Sequence, residues 1–248
     1  MAGGLAGKVA LIAGAGSGIG QAAATRLASE GVAALVLVGR RPEKLAETQN
    51  ALGGVEVLVH PADIGDAPSV SELATRVAER YGRLDVLVNA AGINVRPRSL
   101  ADGSIEDFQA VLDANLRGAF LLSRAFLPVM RAQGSGTIIH VVSDSGLRGN
   151  NFAGVAYIAS KFGLRGLTEA INAEQRQHGI RAVAILPGEV NTPILDKRPV
   201  PPSQEERARM LQPEDVAECI AVAALLPARA IIEELVIRPA AQDWVSRR

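Results

Sequence analysis

The segment YIASK holds the two side chains whose types and spacing best suit chemistry on a carbonyl group. Tyr157 and Lys161 are four residues apart, which puts both on one face of a helix. A phenol with a pKa of about 10 is a poor acid or base at neutral pH, and a nearby ammonium favours the phenolate and lowers that pKa. Such a pair can supply the proton that a ketone needs when it accepts a hydride. The spacing of Tyr157 and Lys161 alone is only suggestive of a catalytic pair, so the interpretation depends on the motifs around it.

A glycine-rich turn near the start of the chain predicts a nucleotide site. The sequence AGAGSGIG follows the apolar run VALIA and precedes a segment of helical periodicity. Glycine permits a tight turn and a close approach of the backbone to a pyrophosphate, and the N-terminus of the next helix attracts that anion. Ile19 breaks the ordinary G-x-G-x-x-G spacing, and the absence of a Gly-Lys-Ser/Thr sequence excludes a P-loop. The glycines of the turn are Gly14, Gly16, Gly18 and Gly20.

Seven apolar runs, separated by segments of helical periodicity, predict the elements that position these residues. The runs are continuous rather than alternating, which is typical of strands buried on both faces of a parallel sheet. They cover residues 9–13, 34–39, 55–60, 84–89, 137–143, 181–187 and 234–239. The predicted fold is therefore α/β, a doubly wound parallel sheet of about seven strands in a single domain over residues 1–248.

Composition argues against several other classes of protein. The 26 basic residues balance the 26 acidic residues, so neither a nucleic-acid nor a membrane partner is predicted. The single cysteine, Cys219, and three scattered histidines lack the spacing of metal ligands, so no metal is predicted. No signal peptide and no apolar run of roughly 18 residues is found, which favours a cytoplasmic protein. The sequence contains no G-x-S-x-G elbow, which argues against an α/β-hydrolase.

In type and order these motifs resemble those of the short-chain dehydrogenase/reductase family over nearly the whole chain. The family loop T-G-x-x-x-G-x-G appears as AGAGSGIG, with Ala13 in place of the threonine, and the family motif N-A-A-G appears at residues 89–92. The resemblance implies a Rossmann-type domain that binds NAD(P). The residues implied to bind it are Gly14, Gly16, Ser17, Gly18, Ile19, Gly20, Arg40, Arg41, Asp63, Ile64, Asn89, Ala90, Ala91, Gly92, Tyr157, Lys161, Pro187, Gly188, Val190 and Thr192.

The implied contacts divide along the length of the cofactor. Asp63 matches the acidic residue that meets the adenine ring in the family, and a helix N-cap is the alternative role for this side chain. Residues 89–92 lie beside the adenosine half in the family. The segment PGEVNT, residues 187–192, matches the family segment that touches the nicotinamide carboxamide.

The resemblance also implies a catalytic tetrad of Asn115, Ser143, Tyr157 and Lys161. Ser143 is favoured over Ser145 because the family serine stands three residues before a glycine, as Ser143 does. In this scheme Ser143 donates a hydrogen bond to the substrate oxygen. Lys161 also holds the nicotinamide ribose, and Asn115 holds a water that links the lysine to solvent.

The end of the second strand predicts NADP rather than NAD. An NAD enzyme usually has a carboxylate there, which binds the ribose 2′-hydroxyl and repels a 2′-phosphate. Here Gly39 occupies that position and is followed by Arg40 and Arg41, whose guanidinium groups can bind a phosphate with charge-assisted hydrogen bonds. NAD stays an alternative, because Ser17 stands where many NADP-preferring relatives have a basic residue and the arginines could form a solvated turn.

The proline-rich and then charged stretch LDKRPVPPSQEERARM, within a segment of approximately 193–212, predicts a substrate lid. We expect it to be mobile without substrate and to close over the nicotinamide site; a plain surface connection is the alternative. The predicted walls of the substrate pocket are Asn94, Arg96, Ser145, Leu147, Phe152 and residues 189–210.

The family resemblance further implies a homo-oligomer, a tetramer or a dimer. Helices over residues 108–130 and 155–177 are the expected interface, because they carry more apolar residues than one core-facing side needs. These include Phe120, Phe126, Phe162 and Leu167. The C-terminal sequence ELVIRPAAQDWVSRR departs from the common V-D-G-G ending of the family, which puts the usual contact at this edge in question.

Together these features predict an NADP-dependent oxidoreductase that interconverts a secondary alcohol and a ketone, or a 3-oxoacyl-type carbonyl, with Tyr157 as general acid/base. One alternative is a nucleotide-binding sensor without turnover, against which the complete tetrad argues. A second is an NAD-preferring dehydrogenase of the same family. A lyase or epimerase of the family's extended branch is disfavoured, because such enzymes usually carry an additional C-terminal domain.

Overall fold

A seven-stranded parallel sheet forms the centre of the computed structural model, which describes residues 4–240. The strands are β1 (Val9–Ala13), β2 (Ala34–Gly39), β3 (Glu56–Pro61), β4 (Val86–Asn89), β5 (Gly136–Val141), β6 (Ile180–Pro187) and β7 (Glu234–Ile237). Their order in the sheet is β3-β2-β1-β4-β5-β6-β7, and every neighbouring pair is parallel. The predicted single α/β domain with a doubly wound sheet is confirmed.

Helices cover both faces of this sheet. They are α1 (Gly18–Ser29), α2 (Pro42–Ala51), α3 (Ala67–Tyr81), α4 (Ile105–Leu112), α5 (Gly118–Gln133), α6 (Val155–Gln175), α7 (Gln204–Ala208) and α8 (Pro213–Leu225). One π-helical turn, Asp113–Arg117, joins α4 to α5. Within residues 4–240 no helix is long and apolar enough to cross a membrane.

Successive side chains of each strand enter two separate hydrophobic layers, which explains why the strands read as continuous apolar runs. On β1, for example, Ile12 packs with α1 and α8, whereas Leu11 packs with α3 and α5. Phe126 of α5 is 1% exposed and belongs to the second layer. Its predicted place on an outer face is therefore wrong, because the α5 stripe that carries it faces the sheet.

The ends of α3 show how local sequence fixes its boundaries. Asp66 caps the N-terminus, since its carboxylate accepts a hydrogen bond from the Ser69 N–H. The residue after the helix is Gly82, which caps its C-terminus with a φ of 64°, the left-handed conformation that glycine adopts most readily. The cap is thus Asp66 and not Asp63, the alternative that the sequence left open. Asp63 instead accepts from the Gly65 N–H at 2.9 Å.

The order of the strands determines where a site can form. From β1 the sheet grows outward to β2 and β3, and then the chain returns to the other side of β1 to form β4. Ligands of open α/β sheets bind at such a switch point, outside the carboxyl ends of the strands. All strands are parallel, so the segments that follow them meet along one edge. The segments relevant to function are residues 14–17, 40–41, 62–64, 90–92, 142–145 and 188–192.

Candidate active site

A cleft of about 1400 Å³ runs along this edge of the sheet, from the glycine turn to Tyr157. Nineteen predicted site residues line it. They are Gly14, Gly16, Ser17, Gly18, Ile19, Arg40, Arg41, Asp63, Ile64, Ala90, Ala91, Gly92, Ser143, Tyr157, Lys161, Pro187, Gly188, Val190 and Thr192. Three others, Gly20, Asn89 and Asn115, lie behind its wall, where they hold the backbone that forms it.

The glycine turn fits a diphosphate because its backbone is close-packed and free of side chains. Gly14 has a φ of 82°, and a Cβ added there would lie 2.8 Å from the backbone nitrogen of Ala91. A Cβ on Gly20 would collide with the carbonyl of Gly14. Helix α1 begins at Gly18, and Ser17 makes no side-chain cap to its first N–H groups. Those N–H groups and the helix dipole are therefore suited to an anion at this end of the cleft.

Two exposed arginines stand beside that anion position. Arg40 and Arg41 follow β2 and line the cleft, and an Nη2 of Arg41 reaches the Ser17 hydroxyl at 3.5 Å. Gly39 ends the strand without a carboxylate, as the sequence predicts. Asp63 and Ile64 lie across the cleft from this turn, on the segment after β3. This end of the cleft thus combines guanidinium groups with a helix N-terminus, which suits a phosphate.

Asn115 lies on the π turn, where it joins three parts of the chain. Its side chain is buried, donates to the carbonyl of Ile93 at 3.1 Å and to the Ser160 hydroxyl at 3.0 Å, and accepts from the Ile93 N–H at 2.7 Å. A Cβ added to Gly92 would lie 3.4 Å from the Asn115 amide oxygen and 3.7 Å from the Lys161 amine. Asn115 therefore holds the loop after β4 against α6 near Lys161. The sequence does not predict the π turn, a feature frequent at functional sites.

Ser143, Tyr157 and Lys161 converge in the middle of the cleft. Lys161 is 3% exposed, its Nζ donates to the carbonyl of Val141 at 3.0 Å, and it lies 5.5 Å from the centre of the Tyr157 ring. The Ser143 hydroxyl accepts from the Ser145 N–H at 3.1 Å and lies close enough to the Tyr157 phenol to lower its pKa. The three side chains predicted from α6 and the end of β5 are thus brought together.

Burial sets the protonation of this cluster in a direction that the sequence does not predict. It raises the pKa of Tyr157 to about 12, and Asp144 raises it further, although the Ser143 hydrogen bond and the charges of Arg98 and Arg198 act the other way. Burial also lowers the pKa of Lys161 to about 7. The expected lowering of the Tyr157 pKa is therefore wrong for this structure, because desolvation outweighs nearby positive charge. At neutral pH the phenol keeps its proton.

The far end of the cleft differs in part from the predicted pocket walls. Asn94, Ser145 and Phe152 line it, but Arg96 and Leu147 do not. Leu147 packs instead against a small hydrophobic cluster under β6. Arg96 faces the lid segment, where it donates to the carbonyl of Asp196 at 2.7 Å. Lining residues that the sequence does not predict include Arg98, Asp144 and Arg148.

The predicted lid segment contains two short helical pieces. Pro193–Lys197 forms a 3₁₀ turn, and α7 is closed at its start by a capping box between Ser203 and Glu206. Arg98 donates to the carbonyl of Lys197 at 2.8 Å, which ties the turn to the loop after β4. The segment after the turn also supplies Arg198 to the cleft lining.

In residues 4–240 no three histidine, cysteine or acidic side chains are grouped so that they could hold a metal ion. The side chains that line the cleft supply a phenol, amines, hydroxyls, guanidinium groups and carboxylates.

Comparison with known proteins identifies the family of this chain. Residues 8–201 match the family model of short chain dehydrogenases.

Sepiapterin reductase from Chlorobaculum tepidum is 36% identical over 244 residues, which cover 95% of this chain and 97% of that protein. A metagenomic short-chain oxidoreductase in complex with NADP is 33% identical, with a TM-score of 0.83 and coverage of 96% and 100%. An alcohol dehydrogenase from the archaeon Thermococcus sibiricus, complexed with 5-hydroxy-NADP, is 33% identical, with a TM-score of 0.84 and coverage of 95% and 97%. The family that the motifs predict is confirmed: this chain belongs to the short-chain dehydrogenases.

Proposed function

We propose that this chain is an NADP-dependent oxidoreductase that interconverts a secondary alcohol and a ketone, or a 3-oxoacyl-type carbonyl. The observation that carries the proposal is the cluster of Tyr157, Ser143 and Lys161 in the same cleft as the glycine turn. Oxidoreductases of this family share the fold and the glycine turn, so the cluster is what defines the reaction.

The residues of the cleft fit NADP along its length. The glycine turn and the start of α1 would hold the diphosphate, Arg40 and Arg41 the 2′-phosphate, and Asp63 the adenine side. Residues 187–192 would hold the nicotinamide, which when bound supplies or accepts the hydride. The solved relatives that contain NADP and 5-hydroxy-NADP agree with the predicted cofactor.

Tyr157 is the proposed proton donor. Hydride addition leaves negative charge on the carbonyl oxygen, and a proton delivered as that charge forms lowers the barrier. The Ser143 hydroxyl, held by the Ser145 N–H, is placed to donate a hydrogen bond to the same oxygen. Lys161, when it is protonated, is the positive group beside the phenol. Gly92 lies between its amine and the Asn115 amide.

Burial acts differently on the two directions of the reaction. With a pKa of about 12, the Tyr157 phenol is protonated at pH 7 but is a weaker acid than a free phenol, so proton donation depends on Lys161 and Ser143 to stabilise the phenolate that forms. Alcohol oxidation needs the phenolate instead, which burial disfavours. We therefore propose ketone reduction as the faster direction at neutral pH.

Residues 193–212 are the proposed substrate lid. Arg96 and Arg98 hold its first turn through the backbone carbonyls of Asp196 and Lys197, and Leu195 is the one buried side chain of residues 193–210. Such contacts are few, and segments with few buried apolar contacts open at low free-energy cost. Closure of the segment over the substrate would exclude water from the reacting carbonyl.

A homo-oligomer is proposed from two exposed aromatic side chains. Phe120 of α5 is 46% exposed and Phe162 of α6 is 43% exposed, and apolar surface of this kind favours association with a second copy. Leu167 is partly buried against the core, so it supports the proposal less. Sedimentation at micromolar concentration is expected to show a dimer or tetramer, and a monomer would contradict the proposal.

Replacement of Tyr157 by phenylalanine is expected to remove the proton donor and leave the cofactor site in place. The kcat for ketone reduction should fall by at least about a hundredfold, while NADPH binding, followed by fluorescence titration, stays nearly unchanged. Tyr81→Phe is the matched control, because Tyr81 is the other tyrosine of the chain and does not line the cleft. Retention of more than half the activity by Tyr157→Phe would show that the mechanism is wrong.

Arg40→Ala is expected to weaken recognition of the 2′-phosphate alone. The KM for NADPH should rise at least about tenfold, or about 1.4 kcal/mol, and the KM for NADH should barely change. Arg41→Ala should act in the same direction, since Arg41 reaches the glycine turn. Arg229→Ala is the control, because Arg229 is an exposed arginine that does not line the cleft. Equal losses with both cofactors, or a wild-type preference for NADH, would assign the arginines to the solvated surface.

A further inference from the structure

The substrate end of the cleft holds a guanidinium that is not neutralised by a carboxylate. Arg98 is half-buried and lines the cleft together with Tyr157. Its Nε donates to the carbonyl of Val95 at 2.9 Å, one Nη to Phe152 at 3.0 Å, and the other Nη to Lys197 at 2.8 Å. Of the five N–H groups of a guanidinium, two remain, one on each Nη. The three carbonyl oxygens orient the guanidinium, but they are uncharged and do not neutralise its positive charge.

The acidic side chains of this region are already engaged elsewhere. Glu189 pairs with Arg198 at 2.5 Å, and Asp144 lies 3.6 Å from Arg238. Glu206 accepts from the Ser203 N–H in the capping box of α7. Within residues 4–240 no ion pair joins Arg98 to a carboxylate. The basic side chains that line this end are Arg98, Arg148, Lys197 and Arg198, one more than its three carboxylates, and Glu189 neutralises Arg198 rather than Arg98.

The positive charge at this end affects the pKa values of both Arg98 and Tyr157. Burial, together with repulsion from Arg198 and Arg96, lowers the pKa of the Arg98 guanidinium. Arg98 and Arg198 in turn lower the pKa of the Tyr157 phenol, which shows that their field reaches it. A half-buried charge that no carboxylate neutralises is unfavourable, and an anionic ligand group relieves that cost.

We propose that the substrate is a small oxo acid or the corresponding hydroxy acid, whose carboxylate binds to the two remaining N–H groups of Arg98. A planar guanidinium matches the two oxygens of a carboxylate, and charge-assisted hydrogen bonds of this kind are stronger than neutral ones. The carboxylate would orient the ketone toward Tyr157 and Ser143. This inference rests on the proposed ketone reduction and narrows its substrate class.

The test compares each acid with its methyl ester, which removes the negative charge and adds one methyl group. Pyruvate, acetoacetate and levulinate, with their three esters, are titrated by calorimetry into the wild-type enzyme saturated with NADP⁺, a measurement that needs no turnover. At least one acid is expected to bind at least tenfold more tightly than its ester. If no acid of the panel exceeds its ester, the inference is overturned.

Variants locate the effect at Arg98. Arg98→Gln is expected to reduce the preference for acid over ester at least tenfold and to change ester binding less than threefold. Arg98→Lys, which keeps the charge but not the two-pronged donor, is expected to retain part of the preference, and Arg229→Gln all of it. An unchanged preference in Arg98→Gln overturns the assignment. If Arg98→Gln weakens acid and ester alike, Arg148→Gln and Glu189→Gln decide, because they alter the charge and keep the hydrogen bonds of Arg98 to the loops. Arg148→Gln should lower the preference for acid, and Glu189→Gln should raise it. No change in either variant overturns the inference.

The same titrations separate this inference from the proposed function. Failure of NADP⁺ or NADPH to bind contradicts the proposed function itself. Reduction of esters, measured as NADPH consumption, without tighter binding of any acid leaves the ketone reductase in place and overturns only the carboxylate site.

Discussion

The cleft depends on one close approach of two backbones, between the turn after β1 and the turn after β4. The Ala90 N–H donates to the carbonyl of Ala13 at 3.0 Å, and a Cβ on Gly14 would lie 2.8 Å from the Ala91 nitrogen. The two strands are neighbours only because the sheet reverses its direction of growth between them. A side chain at Gly14 would push these turns apart and displace the start of α1. The glycine turn and the loop after β4 are thus supported by the same junction.

Burial is the second constraint, and it acts on function through protonation. Lys161 contributes an amine to the interior of the cleft, where the Val141 carbonyl holds it. Its pKa of about 7 and the Tyr157 pKa of about 12 share their main cause, the loss of water around each charged form. At neutral pH the phenol is therefore protonated and the amine only partly charged. The guanidinium of Arg98 raises the same problem at the substrate end, and an anionic substrate resolves it.

Much of the fold and of the cofactor end could be predicted from sequence, because the signals there are local. β1 and β2 have the predicted bounds, and the glycine turn follows β1 without a gap. The substrate end could not be predicted in the same way. Arg98 enters the cleft because carbonyls from two distant segments and one from its own loop hold it. Arg96, two residues earlier, faces the lid instead. Such contacts arise only when loops meet in space.

The pKa of Tyr157 shows a different limit of sequence reasoning. The spacing to Lys161 predicts proximity, and the Lys161 Nζ indeed lies 5.5 Å from the centre of the Tyr157 ring. Spacing carries no information on how much water reaches the phenol, and desolvation is the dominant influence on its pKa. Phe126 illustrates the same point for packing, because its helix periodicity leaves open which stripe faces the sheet until α5 is docked.

The most direct test of the account is to follow the hydride itself. A ketone is reduced in ordinary water with NADPH that carries deuterium at C4 of the nicotinamide, prepared separately in each of its two stereochemical forms. The account predicts that one of the two forms places a single deuterium on the carbinol carbon of the product alcohol, detected by mass spectrometry and NMR. A product free of deuterium with both forms would contradict hydride transfer and with it the role proposed for Tyr157.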